Sequence, residues 1–347
     1  MSKHTSVLAF LLLLLAAIFS GCNTDRAPVT RSFYYWKTIY QPSAYEDSVL
    51  KQLHCRRMYL RCFDVDWNEQ ARMLLPVSII RLPPRIDTTM DYVPVFFITQ
   101  TALAHFSATT TDSLAAHINR LVTQLCTNAR ISPTEIQADC DWTGTNKELY
   151  FPLLKALKAQ PFFHDKKLSC TIRLHQVKYI SRSGIPPVDK GLLMCYNMGD
   201  LKKYGDHNSI LDIAEAKKYL NNLDKYPLQM DVALPLFHWS LLFREQRFAG
   251  ILRDVAPENI AADTDFEQVK NNLYRCKKDI SRYGYMFRTN DIIRLETCRY
   301  KEVLAMASFL EQKLRYRPEN VCLFHCDSLT ISRYAPQQLE KIYAAFD

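Results

Sequence analysis

The sequence predicts an α/β protein in which eight parallel strands close into a (β/α)8 TIM-type barrel. Short β-rich runs alternate with longer helical patterns along the chain, as expected for βαβ units. Eight such runs occur, which is the number that this barrel requires. An open doubly wound sheet is the alternative, but the chain has only 8 Gly and no Gly-x-Gly-x-x-Gly after the first run.

The N-terminus has the pattern of a bacterial lipoprotein signal peptide over residues 1–21. A basic residue precedes an apolar run at 7–19, which is short for a membrane span. The junction Phe19-Ser20-Gly21-Cys22 resembles a lipobox, and the resemblance implies that Cys22 is acylated and anchors the chain to a membrane. The alternative is an ordinary signal peptide that is cut near a cysteine. Residues 22–32 form a polar tether. Asn23, directly after the cysteine, resembles the pattern of lipoproteins that are sent to the outer membrane.

A single barrel domain is predicted over residues 33–347, in which short strands alternate with helical patterns. The predicted strands lie near 33–38, 58–63, 93–99, 135–141, 168–175, 191–197, 229–237 and 321–325. The predicted helices lie near 111–128, 146–159, 210–223, 299–314 and 336–346. Residues 244–298 interrupt the alternation as an insertion after strand seven, and Phe266, Val269, Leu273 and Ile280 predict a helix over 265–283 within it. This insertion either covers a cleft or only decorates the barrel.

The cysteines and charges limit the classes of partner. Five cysteines lie in apolar, strand-like runs and are expected to be buried thiols, namely Cys62, Cys140, Cys170, Cys195 and Cys322. Cys276 and Cys298 are the better disulfide candidates. The cysteines and histidines lack zinc-site spacing, so we expect neither a cofactor nor a metal. The net charge of +8 is spread without a dense basic run, and nucleic acid is not an expected partner.

The fourth strand carries polar residues at every second position. Gln137, Asp139 and Asp141 share one parity, and their apolar neighbours suit the helix-facing side, so the polar set is expected inside the barrel. Two carboxylates at this spacing can couple their titrations and raise one pKa, as a general acid requires. The alternative is a structural ion pair in which Arg173, on the same parity of strand five as His175, neutralises Asp139.

Aromatic and acidic residues gather where the strands end. Tyr196 tops the inward face of strand six, Trp239 lies at the end of strand seven, and strand one contains Trp36. Aromatic rings beside carboxylates at a barrel mouth suit carbohydrate, because a ring stacks on a sugar face while carboxylates bind hydroxyls. Asp64 and Asp66 lie at the end of strand two. They are candidate ligands for a substrate or a divalent cation, and the alternative is that they only cap a loop.

Two resemblances follow from these motifs. The Gln137-x-Asp139-x-Asp141 strand and the run Met194-Cys195-Tyr196-Asn197-Met198-Gly199 resemble an uncharacterised family of bacterial TIM-barrel-like proteins, over roughly residues 90–240. More distantly, the order of these motifs along the chain is similar to that in the family-18 (chitinase-type) glycoside hydrolases. That similarity implies Asp141 at the position of the catalytic acid, Asp139 at the supporting aspartate and Tyr196 at the conserved tyrosine. The sequence departs from it because Asp141 is shorter than Glu, and Gln137 and Asn197 replace acidic residues.

These observations lead to three functional hypotheses. The first is a membrane-anchored lipoprotein of the bacterial cell envelope that hydrolyses glycans, with Asp141 as acid and Asp139 tuning it. In this hypothesis Gln137, Arg173, His175 and Asn197 contact the carbohydrate. The second is a barrel that binds a glycan or an envelope partner without catalysis, and the third is a structural lipoprotein. Barrels of this type host many chemistries, so the fold alone does not choose among them.

Overall fold

The computed structural model describes residues 28–347, and its centre is a closed barrel of eight parallel strands. The first strand, β1 (Thr30–Tyr35), pairs on one side with β2 (Arg57–Asn68) and on the other with the last strand, β16 (Asn320–Phe324). The sheet therefore has no free edge within the barrel. The predicted (β/α)8 fold is confirmed. The barrel strands are β1 (Thr30–Tyr35), β2 (Arg57–Asn68), β4 (Asp91–Ile98), β5 (Glu135–Cys140), β6 (Lys167–Arg173), β7 (Lys190–Met194), β8 (Met230–Pro235) and β16 (Asn320–Phe324).

One strand lies outside this ring. β2 extends beyond the barrel mouth and pairs there with the antiparallel strand β3 (Met73–Val77). The connection from β3 to β4 contains no helix. Residues 78–90 form an irregular loop there.

Helices surround most of the ring, and the longest shows why the sequence folds this way. In the longest helix, α3 (Thr111–Ala129), Leu114, Ile118 and Val122 recur at helical spacing and are buried against the sheet. The helices are α1 (Ala44–Gln52), α2 (Gln100–Ala104), α3 (Thr111–Ala129), α4 (Lys147–Lys158), α5 (Leu174–Lys178), α6 (Ile180–Ser183), α7 (Ile213–Tyr219), α8 (Pro257–Ala262), α9 (Tyr300–Lys313), α10 (Ser328–Ile331) and α11 (Pro336–Ala344). Short 3-10 turns lie at Ala108–Thr110, Pro161–Phe163 and Leu223–Lys225.

The insertion after β8 is a sheet, and the helix predicted over 265–283 is wrong. Five antiparallel strands lie in the order β10-β9-β15-β12-β11, and β13 and β14 form a separate hairpin. Val269 is 42% exposed, so the apparent helical stripe is not a buried face. Asn271 instead adopts a left-handed φ of 38° and reverses the chain between β11 and β12. The strands are β9 (His238–Arg244), β10 (Arg247–Leu252), β11 (Phe266–Lys270), β12 (Leu273–Cys276), β13 (Ile280–Arg282), β14 (Tyr285–Phe287) and β15 (Ile292–Thr297).

A buried ionic network closes the N-terminal end of the barrel. Lys190 of β7 is only 3% exposed, and its Nζ contacts carboxylate oxygens of Glu135 at 2.8 Å and of Asp231 at 2.7 Å. Arg57 reaches the same Glu135 carboxylate at 3.1 Å. Buried charges are tolerated only when they are paired and hydrogen-bonded, and this network satisfies that condition.

The cysteines contradict one prediction from the sequence. Cys276 and Cys298 are both free and buried, and the ten cysteines within residues 28–347 form no disulfide. The Cys276 thiol donates to the carbonyl of Lys278 instead, at 3.0 Å. Burial raises the pKa of both thiols, which disfavours the thiolate needed for disulfide exchange.

The signal peptide and Cys22 lie outside the residues that the structure describes. Over residues 28–347, no helix has both the length and the apolar character that crossing a bilayer requires.

Candidate functional site

The polar face of β5 lies inside the barrel, as its alternation predicts. Gln137 is fully buried, accepts a hydrogen bond from the Tyr34 hydroxyl of β1 and donates to Ser169 Oγ of β6 at 3.3 Å. Asp139, two residues nearer the mouth, is 5% exposed and accepts a hydrogen bond from Thr171 Oγ1 at 2.6 Å. The opposite parity of β5 faces the helices.

The surroundings of Asp139 favour the protonated form of its carboxyl. Burial is the main cause that raises its pKa from 3.8 to about 6, and the charge of Asp141 adds to the effect. The hydrogen bond from Thr171 and the charge of Arg173 act in the opposite direction. The coupling that the sequence predicts therefore exists, but it acts on Asp139, whereas the expected acid was Asp141.

Arg173 forms its ion pair with Asp141, whereas the structural alternative considered from the sequence placed it beside Asp139. Its Nε and Nη2 bind the two carboxylate oxygens of Asp141 side by side, the second at 2.8 Å. The reason is the strand register, because Glu135 lies opposite Lys167 and Gln137 opposite Ser169. The same register brings Asp139 level with Thr171 and Asp141 level with Arg173. The carboxylate nearest the mouth is thus held in a bidentate ion pair.

A cavity of about 440 Å³ opens beside this ion pair, over the ends of β5, β6 and β7. We call it the ion-pair cavity. Its lining includes Gln100, Asp141, Arg173, His175, Tyr196 and Asn197, whereas Asp139 lies beneath it and is not part of the lining. Two buried polar atoms of the lining have no hydrogen-bond partner, namely Arg173 Nη1 and Tyr196 Oη. Such atoms are costly to bury unpaired, so they favour a ligand that supplies hydrogen-bond acceptors.

Two other predicted residues shape this cavity. His175 lies in the first turn of α5, and burial lowers its pKa, so its ring is neutral at neutral pH. Asn197 has a φ of 55°, a left-handed conformation that turns the chain sharply after β7. The structure therefore brings Asp141, Arg173, His175, Tyr196 and Asn197 together.

Aromatic rings from five strand ends meet at the centre of the mouth, and we call this set the mouth cluster. Phe324 lies in the middle, with ring centroids 5.7 Å from Trp36, 5.1 Å from Tyr196 and 5.6 Å from Phe237. Trp239 joins through Phe237 at 5.4 Å, and Tyr34 joins through Trp36 at 5.6 Å. Trp36, Phe237, Trp239 and Phe324 are only partly buried, so they present ring surface at the mouth.

Sequence reasoning missed two members of this site. Phe324 ends β16 directly before His325, a strand-end position that the sequence does reveal, but its place at the centre of the cluster depends on barrel closure. Arg61 of β2 lies 5.4 Å over the Trp36 ring. It is the partner of Asp64, which is 8% exposed and is therefore held within the wall of the mouth.

Asp66 has a local structural role. It accepts a hydrogen bond from Thr99 Oγ1 at 2.6 Å and one from the backbone N–H of Trp67 at 2.9 Å. Asp66 is thus held by these hydrogen bonds and Asp64 by its ion pair with Arg61, so both carboxylates have partners within the protein. Among residues 28–347, no group of three or more His, Cys, Asp or Glu side chains is arranged to hold a metal ion.

A second and larger cavity of about 920 Å³ separates the mouth from the inserted sheet. Its lining includes Trp239, His238, His325, Arg253, Glu258 and Arg333. Burial lowers the pKa of His238 and lowers that of His325 to about 4, so both rings are neutral at neutral pH. The Nδ1 atoms of both rings are buried without a hydrogen-bond partner. Trp239 thus connects the two cavities through the mouth cluster.

Comparison with solved structures identifies the same fold in a spore cortex-lytic enzyme and in chitinases. The spore cortex-lytic enzyme SleL of Bacillus cereus matches 92% of this chain and 74% of its own, at 14% identity and a TM-score of 0.55. A chitinase of Chromobacterium violaceum matches 92% of this chain and 98% of its own, at 10% identity and a TM-score of 0.53.

A GH18 chitinase of Cycas revoluta, solved with (GlcNAc)4, matches 90% of this chain and 99% of its own, at 12% identity and a TM-score of 0.53. No family model and no curated protein matches the sequence. At these identities the comparisons show the (β/α)8 barrel fold alone.

Proposed function

We propose that this protein binds a carbohydrate at the mouth of its barrel without hydrolysing it. The observation that carries the proposal is the partly exposed mouth cluster beside a cavity in which Arg173 Nη1 and Tyr196 Oη have no partner. Aromatic rings bury the apolar face of a sugar, and the two free donors suit its oxygen atoms. The ligand class that we favour is an oligosaccharide of N-acetylglucosamine, by analogy with the Cycas revoluta chitinase that was solved with (GlcNAc)4.

The state of the two carboxyls favours binding over catalysis. A general acid must hold a proton and reach the leaving group. Asp141 lines the ion-pair cavity, but both of its oxygens are bound by Arg173. Asp139 has the raised pKa of about 6, but it lies beneath the cavity and hydrogen-bonds to Thr171. The two requirements of a general acid are therefore divided between two residues.

Glycan hydrolysis remains the second candidate, because a carboxyl with a pKa of about 6 is protonated in the range where glycosidases use an acid. In that case the acid is Asp139, which would act only after Arg173 and Asp141 move apart. Turnover of a glycan by the parent protein, abolished in Asp139→Asn, would establish this candidate and contradict the proposal of binding alone.

Calorimetric titration with the tetramer of N-acetylglucosamine and with soluble peptidoglycan fragments tests the proposal. We expect the parent to bind at least one of them and Tyr196→Phe, which removes only the unpaired hydroxyl, to bind about tenfold more weakly. Tyr226→Phe is the matched control, since Tyr226 Oη is also buried without a partner but lies far from the mouth. A parent that binds neither ligand at millimolar concentration, or equal affinities for all three proteins, would contradict the proposal.

We also propose that Cys22 carries lipid and anchors the protein to the outer membrane of a bacterial envelope. The support is the Phe19-Ser20-Gly21-Cys22 junction with its polar tether. Cys22→Ala should move the protein from the membrane pellet to the soluble fraction, whereas Thr24→Ala in the tether should leave it in the pellet. A Cys22→Ala protein that still sediments with membranes after a salt wash would show that the anchor is elsewhere.

A further inference from the structure

The inserted sheet contains an ion pair that is completely buried. Arg294 and Glu296 lie two residues apart on β15, so their side chains point to the same face, and Arg294 Nε donates to Glu296 Oε1 at 2.6 Å. Neither side chain is exposed to solvent. A buried pair is costly unless every polar atom is used, so the remaining contacts of these two residues indicate what the pair holds in place.

Arg294 holds the loop that follows β7. Its Nη2 donates to the carbonyl of Leu201 at 2.9 Å, and its Nη1 donates to those of Lys203 at 2.7 Å and Gly205 at 3.1 Å. The guanidinium also lies 4.9 Å from the centroid of the Phe243 ring. This loop begins with Tyr196 and Asn197, which line the ion-pair cavity. One side chain of the inserted sheet therefore fixes the far part of a loop whose near part shapes the candidate site.

Glu296 holds the same loop and the indole of Trp239. Its Oε2 accepts from Ser209 N at 2.8 Å, from Ser209 Oγ at 2.7 Å and from Trp239 Nε1 at 2.8 Å. Trp239 is its direct cross-strand partner on β9. Hydrogen bonds to an ionised acceptor are about twice as strong as neutral ones, so this carboxylate is well suited to fixing the ring.

We propose that Arg294 and Glu296 are positioning residues for ligand binding at the barrel mouth, an inference that rests on the proposed carbohydrate-binding function. Glu296 fixes the plane of the Trp239 ring against Phe237, and Arg294 fixes the loop that carries Tyr196 and Asn197. The pair keeps the stacking surface and the hydrogen-bonding cavity at a constant separation, which a rigid ligand requires.

Glu296→Gln tests this inference, and Asp291→Asn is its matched control. Asp291 is a buried carboxylate of the same sheet, paired with Arg244 at 2.8 Å, and it contacts neither Trp239 nor the loop. Both variants remove the charge of a buried carboxylate that is paired with an arginine, so both are expected to lower the thermal midpoint. Only Glu296→Gln should change the mouth, because only Glu296 contacts Trp239 and Ser209.

Two measurements on the full-length folded proteins separate positioning from stability. Hydrogen exchange without ligand should be at least tenfold faster over residues 197–209 in Glu296→Gln than in Asp291→Asn, and the Trp239 indole N–H signal should shift only in Glu296→Gln. Titration with the tetramer of N-acetylglucosamine should show about tenfold weaker binding for Glu296→Gln and less than a twofold change for Asp291→Asn. If Glu296→Gln does not fold, Ser209→Ala removes one donor to the same carboxylate and should show the same changes at smaller size.

The outcomes distinguish this inference from the proposed function. Equal exchange and an unshifted indole signal in the two variants would overturn the positioning role, whether or not a glycan binds. A parent that does not bind the tetramer, combined with the expected exchange and indole changes, would support the structural coupling and overturn carbohydrate binding. Equal affinities of Glu296→Gln and the parent for the tetramer would show that the positioning has no effect on the ligand.

Discussion

Replacing Asp139 with Asn is expected to remove one specific part of the dependence of stability on pH. Folding raises the pKa of Asp139 from 3.8 to about 6, mainly because the carboxyl is buried inside the barrel. The folded protein therefore binds this proton more tightly than the unfolded chain. The resulting stabilisation is complete below about pH 3.8 and is lost as the pH rises through about 6.

The expected magnitude follows from the difference between the two pKa values. A difference of roughly two corresponds to about 3 kcal/mol in the free energy of unfolding, since each pKa unit is equivalent to ~1.36 kcal/mol. For a chain of this length that is a change of about 4 °C in the melting temperature. Asn is neutral at every pH and keeps an oxygen that accepts from Thr171 Oγ1. The variant should therefore be more stable than the parent above pH 7.

Chemical denaturation between pH 4 and pH 8 measures this effect as the difference between the two stability curves. The difference removes the contributions of all other titrating groups, and Asp224→Asn at an exposed position controls for the loss of one negative charge. We expect the Asp139→Asn curve to cross that of the parent as the pH rises through about 6. Parallel curves for parent and variant across this range would refute the assignment of the proton to Asp139.

Three further predictions concern the body of the barrel. Lys190→Met should cost about 3–5 kcal/mol in urea denaturation because it takes the cation from the buried Asp231 carboxylate and one of two cations from Glu135, whereas exposed Lys167→Met should change stability by less than about 0.5 kcal/mol. Gly191→Ala should cost about 1–3 kcal/mol in the same assay, since a Cβ there would lie 2.7 Å from two side-chain atoms; wild-type stability would show that these neighbours move freely. Without reductant, Cys276 and Cys298 should resist alkylation in the native state and react fully in denaturant; protection in denaturant would indicate a disulfide.

Much of the barrel was predictable because its signals are local. The eight strand runs and the helices 111–128 and 299–314 agree with the observed elements within a few residues. Alternation along β5 also predicted that Gln137 and Asp139 face the interior, since side chains of a strand alternate between its two faces. Such patterns depend only on neighbouring residues, and a closed sheet buries both faces of every strand.

The partners of the site residues were not predictable in this way. That Arg173 binds Asp141 and not Asp139 follows from the register between β5 and β6, which is set by pairing across the sheet. The mouth cluster likewise depends on barrel closure, because Trp36 and Phe324 are distant in the chain but adjacent across β1 and β16. Register and closure are properties of the assembled sheet.

The sequence by itself determined the barrel strands, the inward face of β5 and the grouping of aromatic residues at strand ends, because each depends on a short repeating pattern. Only the tertiary structure decided that the insertion is a sheet, since β9 and β15 pair across 49 to 59 residues and no local pattern encodes that contact. It also decided that burial favours the protonated form of Asp139. Asp139 and Asp141 have the same chemistry and spacing, but burial acts on Asp139 while the register gives Asp141 its arginine.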